Sequence, residues 1–301
     1  LDTLFRYKPD ANNNDQFHIY VSQDGYHEGV KKVAESFGKR VKLFQRERKI
    51  VIPAVPIGNN PAYYSLAQHY KFAIDQVFQS EKFGDSEIKV PYERIIILEE
   101  DLEVAPDFFS YFSALSPLLD DDDQGGDSSS SKKSGGDDGS SSSSGSSNDS
   151  KLLCISAWND NGMRNFVNDH TRLYRSDFFP GLGWMMSRNM WERDLRDVWP
   201  LGYWDDWLRE PNNRRGRNCI RPEINRTYTF GAKGTSGGQF SRYLDQIQLN
   251  DQNIDWSKVD LSSIRDKKTY DTELQALIDG ATTIQANQPL RYQSSKDLVL
   301  K

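Results

Sequence analysis

Three acids, Glu99, Glu100 and Asp101, stand side by side where the apolar run Ile95-Ile96-Ile97-Leu98 ends, and Leu102-Glu103-Val104-Ala105-Pro106-Asp107 follows. Adjacent like charges repel, and the cost rises near apolar surroundings, so the triplet implies a positive partner. Carboxylates suit Mg²⁺ or Mn²⁺, hard ions that take one or two protein carboxylates and complete their shell with phosphate and water. Alternation at a strand end puts Glu99 and Asp101 on one face and Glu100 on the other, unless the chain has already turned. A solvated acidic turn before a helix is the plain alternative.

Three later stretches combine Trp with Asn, Asp or Gly: SAWNDNGM (156–163), DFFPGLGWM (177–185) and YWDDWLREP (203–211). Aromatic faces pack against the apolar faces of sugar rings while Asp and Asn read hydroxyls at the edges, although core packing explains any one cluster alone. The Gly-rich FGAKGTSGGQF (230–240), with Lys233, suits a hinged loop that closes over a ligand; a flexible surface turn is the alternative. Cys154 and Cys219 decide nothing by themselves, two buried thiols being the plain reading. Asn225-Arg226-Thr227 is a glycosylation triplet compatible with a lumenal protein.

The elements that must position these residues read as α/β. FHIYVSQ (17–23) is a strand, EGVKKVAESFG places Val30, Val33, Ala34 and Phe37 on a helical stripe, and VKLFQR (41–46) is a second strand, which makes a βαβ unit. Tyr63 to Phe78 carries Leu66, Tyr70, Ala73, Ile74 and Val77 on another stripe and leads into RIIIL. A continuous apolar run such as IIIL predicts a parallel strand covered on both faces, with the acids at its carboxyl end, where open α/β sheets bind ligands. Residues 120–150 lack any aliphatic or aromatic side chain and predict a disordered insertion. KLLCISAW (151–158) resumes as a strand, Ser187 caps a helix through NMWERDLRDVW, and the region from about Gln239 reads as small and mixed.

With 301 residues and seven Trp the chain can bury one large core or two smaller ones. A net charge of -6 argues against a general nucleic-acid or anionic-membrane surface, and no apolar run reaches the roughly 20 residues of a membrane helix. The chain opens LDTLFRYKPD without Met or a signal-like start, so the expectation is a piece of a longer protein.

In this order, LEEDLEVAPDFF, CISAWNDNG, LYRSDFFPGLGWM, YWDDWLR, CIRPEINRTYTFG and GQF resemble the N-acetylglucosaminyltransferase I family over nearly the whole chain apart from the insertion. The resemblance implies a GT-A fold: a Rossmann-like nucleotide-binding sheet flanked by helices, with a small C-terminal mixed region. It divides the chain into a UDP-sugar and metal-binding half (1–119), the insertion (120–150), a donor-sugar and acceptor half (151–238) and an incomplete C-terminal region (239–301). It implies inverting transfer of GlcNAc from UDP-GlcNAc to an oligomannose N-glycan, with Mn²⁺, by a type II membrane protein of the Golgi lumen whose anchor lies upstream. Residue by residue, Asp101 matches the Mn²⁺ ligand, with Glu99 and Glu100 beside it, and Asp205 the catalytic base. Asp24 and His69 match the uridine side, Leu182 and Trp204 the donor sugar, and Thr235 and Ser236 a loop over the diphosphate. Cys154 and Cys219 match a family disulfide, which implies an oxidising lumen.

Three features depart from the pattern. Glu100 replaces an Asp, Gly25 stands where a further family cysteine would be, and the family's first strand with a nucleotide-contacting Arg would precede Leu1. The related O-mannose GlcNAc transferase, which reads EED, is therefore a competing expectation. A sugar-binding module that has lost catalysis and a metal-dependent nucleotidyltransferase are two others, separable by donor turnover and pyrophosphate release.

Overall fold

The computed structural model describes residues 1–9, 17–119, 151–231 and 241–281. The insertion and Lys233, Thr235 and Ser236 lie outside them.

After α1 (Asp2–Tyr7), the expected βαβ unit forms from β1 (Ile19–Asp24), α2 (Glu28–Ser36) and β2 (Val41–Arg46). The strands pair in parallel from Ile19 opposite Val41 to Asp24 opposite Arg46. Ala34 of α2 is buried and Phe37 stacks on Phe5 of α1 at 4.9 Å. Val30 and Val33 of the predicted stripe are instead exposed, because a ladder two strands wide cannot cover a whole helical face.

Asn60 and Pro61 start α3 (Pro61–Phe78): the Asn60 side chain accepts the Ala62 N–H at 3.0 Å, and proline costs nothing where no intrahelical donor is needed. Its buried face is Tyr64, Ala67, Tyr70, Ile74 and Val77, one residue every three or four, while Leu66 and Ala73 are only half-buried. The hairpin β3 (Lys82–Phe83) and β4 (Ser86–Glu87) leads to β5 (Arg94–Ile97). After β6 (Leu102–Val104) and α4 (Phe108–Leu115) come β7 (Leu152–Ser156), β8 (Leu173–Ser176) and β9 (Trp184–Ser187). Next are α5 (Trp204–Arg209), α6 (Pro211–Arg214), β10 (Asn218–Pro222) and β11 (Thr227–Thr229).

A mixed sheet ordered β5-β9-β7-β10-β8 forms the centre, with β7 and β10 parallel and the other neighbours antiparallel. The predicted parallel pairing of the Ile95 strand is therefore corrected, while its cover on both faces holds. β5 is an edge strand antiparallel to β9, and each of its residues is only half-buried. Alternation still sorts its side chains, Ile95 and Ile97 to one face and Ile96 and Leu98 to the other. On the first face, Trp184, Met186, Trp191 and Trp204 pack with Tyr70 and Ile74 of α3; on the second, Met185 and Ile155 pack with Phe108, Phe112 and Leu115 of α4. Two helical layers thus cover one sheet. Met190–Leu195 winds as a π-helix rather than an α-helix, and Ser187 accepts the Met190 N–H at 3.0 Å, close to the expected cap.

The described C-terminal part has α7 (Ser241–Leu244), α8 (Ser262–Arg265) and α9 (Lys267–Asp279) and bridges from Ile247 to Met163 and from Leu249 to Asn225, and it buries Trp256 and Ile264 in the second core face. A disulfide joins Cys154 of β7 to Cys219 of β10, which face each other in the parallel register 65 residues apart. The triplet Asn225-Arg226-Thr227 is wholly buried, so its asparagine is closed to glycosylation in the fold. Asn225 instead accepts the Asn159 N–H at 2.5 Å. Among the described residues no helix is long and apolar enough to cross a membrane.

Candidate active site

The apolar strand β5 ends at Ile97, and the chain turns at once: the Leu102 N–H donates to the Glu99 carbonyl at 3.3 Å. The turn overrides strand alternation and sends the three acids different ways. Glu99 enters the interior and accepts the Tyr70 hydroxyl at 2.6 Å, Glu100 is exposed, and Asp101 accepts the Thr229 hydroxyl at 3.1 Å. The antiparallel ribbon of β6 and β11 sets Asp101, because the Phe230 N–H donates to the Asp101 carbonyl at 3.0 Å. Gly231 closes over it so tightly that a Cβ there would lie 1.9 Å from Asp101 Oδ2, a contact only glycine avoids.

Tyr70 joins this turn to the predicted base. Its ring stacks on Trp204 at 4.1 Å, and Asp205 follows on the first turn of α5, held by Arg209 at 3.0 Å. Burial pushes the Glu99 carboxyl up to about 7; the Tyr70 hydrogen bond opposes this, whereas the charges of Asp101, Glu100 and Asp205 add to it. Burial, followed by the charge of Glu99, also raises the Tyr70 phenol far above its ordinary value. The charges acting on Glu99 are thus all negative.

That excess fits a hard divalent cation such as Mn²⁺ or Mg²⁺. Asp101 offers one oriented carboxylate, and no group of three or more His, Cys, Asp or Glu able to hold a metal occurs among the described residues. A single protein carboxylate with further acids beside it would suit an ion whose shell is completed by phosphate and water.

The predicted uridine-side residues gather at the carboxyl end of β1. Asp24 pairs with Arg46 at 2.8 Å and Arg48 at 3.1 Å and accepts the Ser65 hydroxyl, while His69 Nε2 lies 2.8 Å from Ser22 Oγ. Burial would raise the Asp24 carboxyl, but Ser65, Arg48, His69 and Arg46 together bring it below its ordinary value. His69 is lowered by burial, with Arg46 and Arg48 acting in the same direction and Asp24 against it. Helix α3 thus serves both clusters, through Ser65 and His69 on one side and Tyr70 on the other.

Leu182 has φ 43° between Gly181 and Gly183, and its carbonyl accepts the Thr227 hydroxyl at 2.6 Å. Tyr203, immediately before Trp204, has φ 53°. Left-handed backbone at bulky residues costs of order 1–3 kcal/mol and clusters at functional sites. The Trp204 indole N–H, although buried, finds no acceptor among the described residues.

A GNT-I family model matches residues 1–140 and 137–299. The chain belongs to the GNT-I family. Over 284 residues it is 39% identical to an alpha-1,3-mannosyl-glycoprotein 2-beta-N-acetylglucosaminyltransferase of Arabidopsis thaliana, covering 94% of this chain and 55% of the relative. The chain therefore spans about half the length of that curated relative. Within this GNT-I chain Glu99, which feels the charge of Asp101, bonds to Tyr70, whose ring stacks on Trp204 beside Asp205, and Leu182 lies two residues before Trp184, which stacks on Trp204. Thr235 and Ser236 lie outside the described residues. Tyr70, Thr229, Gly231 and Arg209 emerge as site residues that sequence reasoning missed. Tyr70 lay on a predicted core stripe, and only its hydroxyl, costly to bury without a partner, hinted at a second duty. Trp158 and Trp184 are 1% exposed, so their rings are core, not sugar platforms.

Proposed function

We propose that this chain is the catalytic part of an inverting glycosyltransferase with a GT-A fold. It moves GlcNAc from UDP-GlcNAc, in β-1,2 linkage, to the α-1,3-linked mannose of an oligomannose N-glycan. The observation that carries the reading is the meeting of the 99–101 turn with the helix of Asp205 across the Tyr70 ring, in a GNT-I chain.

Inversion requires a base on the sugar face opposite the leaving group. Asp205 accepts the proton of the acceptor hydroxyl as that oxygen attacks C1, and Arg209 keeps its carboxylate from swinging away. Asp101, fixed by Thr229 and hemmed by Gly231, would hold Mn²⁺. When bound, that ion supplies Lewis-acid stabilisation of the charge developing on the departing UDP. Asp24 and His69 bind the uridine side, and Thr235 and Ser236 the diphosphate side. Leu182 and the segment that carries Trp204 orient the donor sugar. Exclusion of water by the buried Tyr70 and Trp204 rings protects the donor from hydrolysis. The disulfide suits an oxidising lumen, and we assign the chain to the Golgi lumen with a type II anchor upstream.

Incubation with UDP-GlcNAc and Mn²⁺, offering an oligomannose N-glycan and an O-mannosyl peptide, tests the proposal by transferred GlcNAc and its linkage. β-1,2 transfer to the glycan is expected. Preference for the peptide would replace the acceptor, donor binding without transfer would leave a sugar-binding module, and pyrophosphate release would leave a nucleotidyltransferase.

A further inference from the structure

The β6/β11 ribbon has two faces, and the proposed site uses one. Thr227 and Thr229 turn toward Leu182 and Asp101, so alternation sends their neighbour Tyr228, and Glu103 paired opposite it, to the reverse face. There they line a cleft of about 450 Å³ together with Arg164, Ile247, Gln248 and Asp251, a volume within the roughly 300–1,000 Å³ range of small-molecule sites.

Its chemistry narrows the ligand. Glu103 and Asp251 provide two carboxylates against the single guanidinium of Arg164, an unsuitable lining for phosphate or another anion. Two carboxylates with a guanidinium also make a poor cation cage, and the charged rim disfavours a lipid or apolar peptide. Carboxylates, an amide and a guanidinium around the half-buried Tyr228 ring suit a neutral polyhydroxylated ring, whose hydroxyls the polar groups read while its C–H face lies on the aromatic.

The cleft is also built rather than improvised. Ile247, fully buried, forms its floor and bridges to Met163; the Arg164 N–H donates to Gln246 O at 3.0 Å and the Gln248 N–H to Gly162 O at 2.8 Å. A site already ordered loses little entropy on binding.

We infer that this cleft is a second saccharide site, holding a neutral hexose unit of the glycan acceptor on the far side of the ribbon from Asp101. The inference rests on the glycosyl-transfer reading. It adds a place where a branched acceptor is gripped away from its reacting hydroxyl, so that longer glycans bind better than a lone mannoside.

The test is direct binding of a branched mannopentaose, without UDP-GlcNAc, by calorimetry and saturation-transfer NMR to the full chain and to the variants Tyr228→Ala, Asp251→Ala and Asp205→Asn. Loss of a stacking aromatic should weaken binding roughly tenfold, and Asp205→Asn, which removes a single contact at the reacting hydroxyl, should weaken it by less. Thermal melting checks that each variant is folded, and Asp251→Ala, at an exposed position, decides the matter where Tyr228→Ala fails to fold. Binding lost in Asp205→Asn but kept in both cleft variants would overturn the inference, as would no binding to the wild-type chain. GlcNAc transfer, measured separately, distinguishes failure of the cleft from failure of the catalytic reading.

Discussion

The Arg226 guanidinium reaches the Asp107 carboxylate through Nε at 3.1 Å and Nη2 at 3.0 Å, across 119 residues of sequence, with both side chains fully buried. Asn250 and the Trp256 indole also donate to Asp107, each at 2.7 Å, and the remaining Arg226 donors meet the carbonyls of Ile224 and His170. This network anchors the start of α4 to the β11 side and to the C-terminal segment. Removing one charge strands the other in a low-dielectric interior, so Asp107→Ala should cost about 3–5 kcal/mol. Urea unfolding of the variant against the parent checks it.

Asp205→Asn keeps shape and loses the basic oxygen. Transfer should fall by about 10²–10⁴-fold, the usual contribution of a general base, while UDP-GlcNAc binding changes little. Initial-rate kinetics with a donor-binding titration measure both, and normal turnover would remove Asp205 from its role.

Gly231→Ala should act through Asp101 alone. The new Cβ would occupy the space of Oδ2, so Asp101 must move, and donor binding that depends on Mn²⁺ should weaken by roughly tenfold or more. Calorimetric titration of UDP with and without Mn²⁺ reads the change; an unaltered Mn²⁺ dependence would show that Asp101 does not hold the ion.

Asp194 should supply part of the acid limb of stability. Burial raises its carboxyl, but the Arg193 hydrogen bond and the charges of Arg217, Arg193 and Arg215 outweigh it, so the folded value lies below the ordinary one. The unfolded chain therefore binds this proton first as pH falls. The stabilisation is present above about pH 4, the unfolded value, and disappears as pH drops through the lower folded value. Asp194→Asn should be less stable at neutral pH and show a shallower loss below about pH 4, measurable by thermal melts from pH 7 to 2.

Reduction of Cys154–Cys219 should lower stability by roughly 4 kcal/mol in the chain-entropy account, since the bridge closes a loop of 65 residues. Guanidinium titration with and without reductant gives the value.

The fold was legible where period and punctuation agreed. The first βαβ unit follows from a switch between two-residue and helical spacing, and α3 from Asn60-Pro61 and one apolar face. Ile95–Ile97 was not, because an apolar run looks the same whether its neighbour runs parallel or antiparallel; only Trp184–Ser187, some 90 residues on, decides it. At the site, residue type flagged the acids, but their directions came from a turn that alternation could not foresee. Asn225 shows the same limit: a triplet carries no sign of its burial, which long-range partners impose.

Helix α3 sets a fixed pitch between two chemistries. Tyr70, bonded to Glu99, lies five positions after Ser65, bonded to Asp24, a rise of about 7.5 Å. One residue inserted between them would rotate everything beyond by about 100°, uncoupling one end from the other. The Asp24 cluster and the acidic turn are therefore geared together: neither can drift in evolution by a length change in this helix, only by substitution in place.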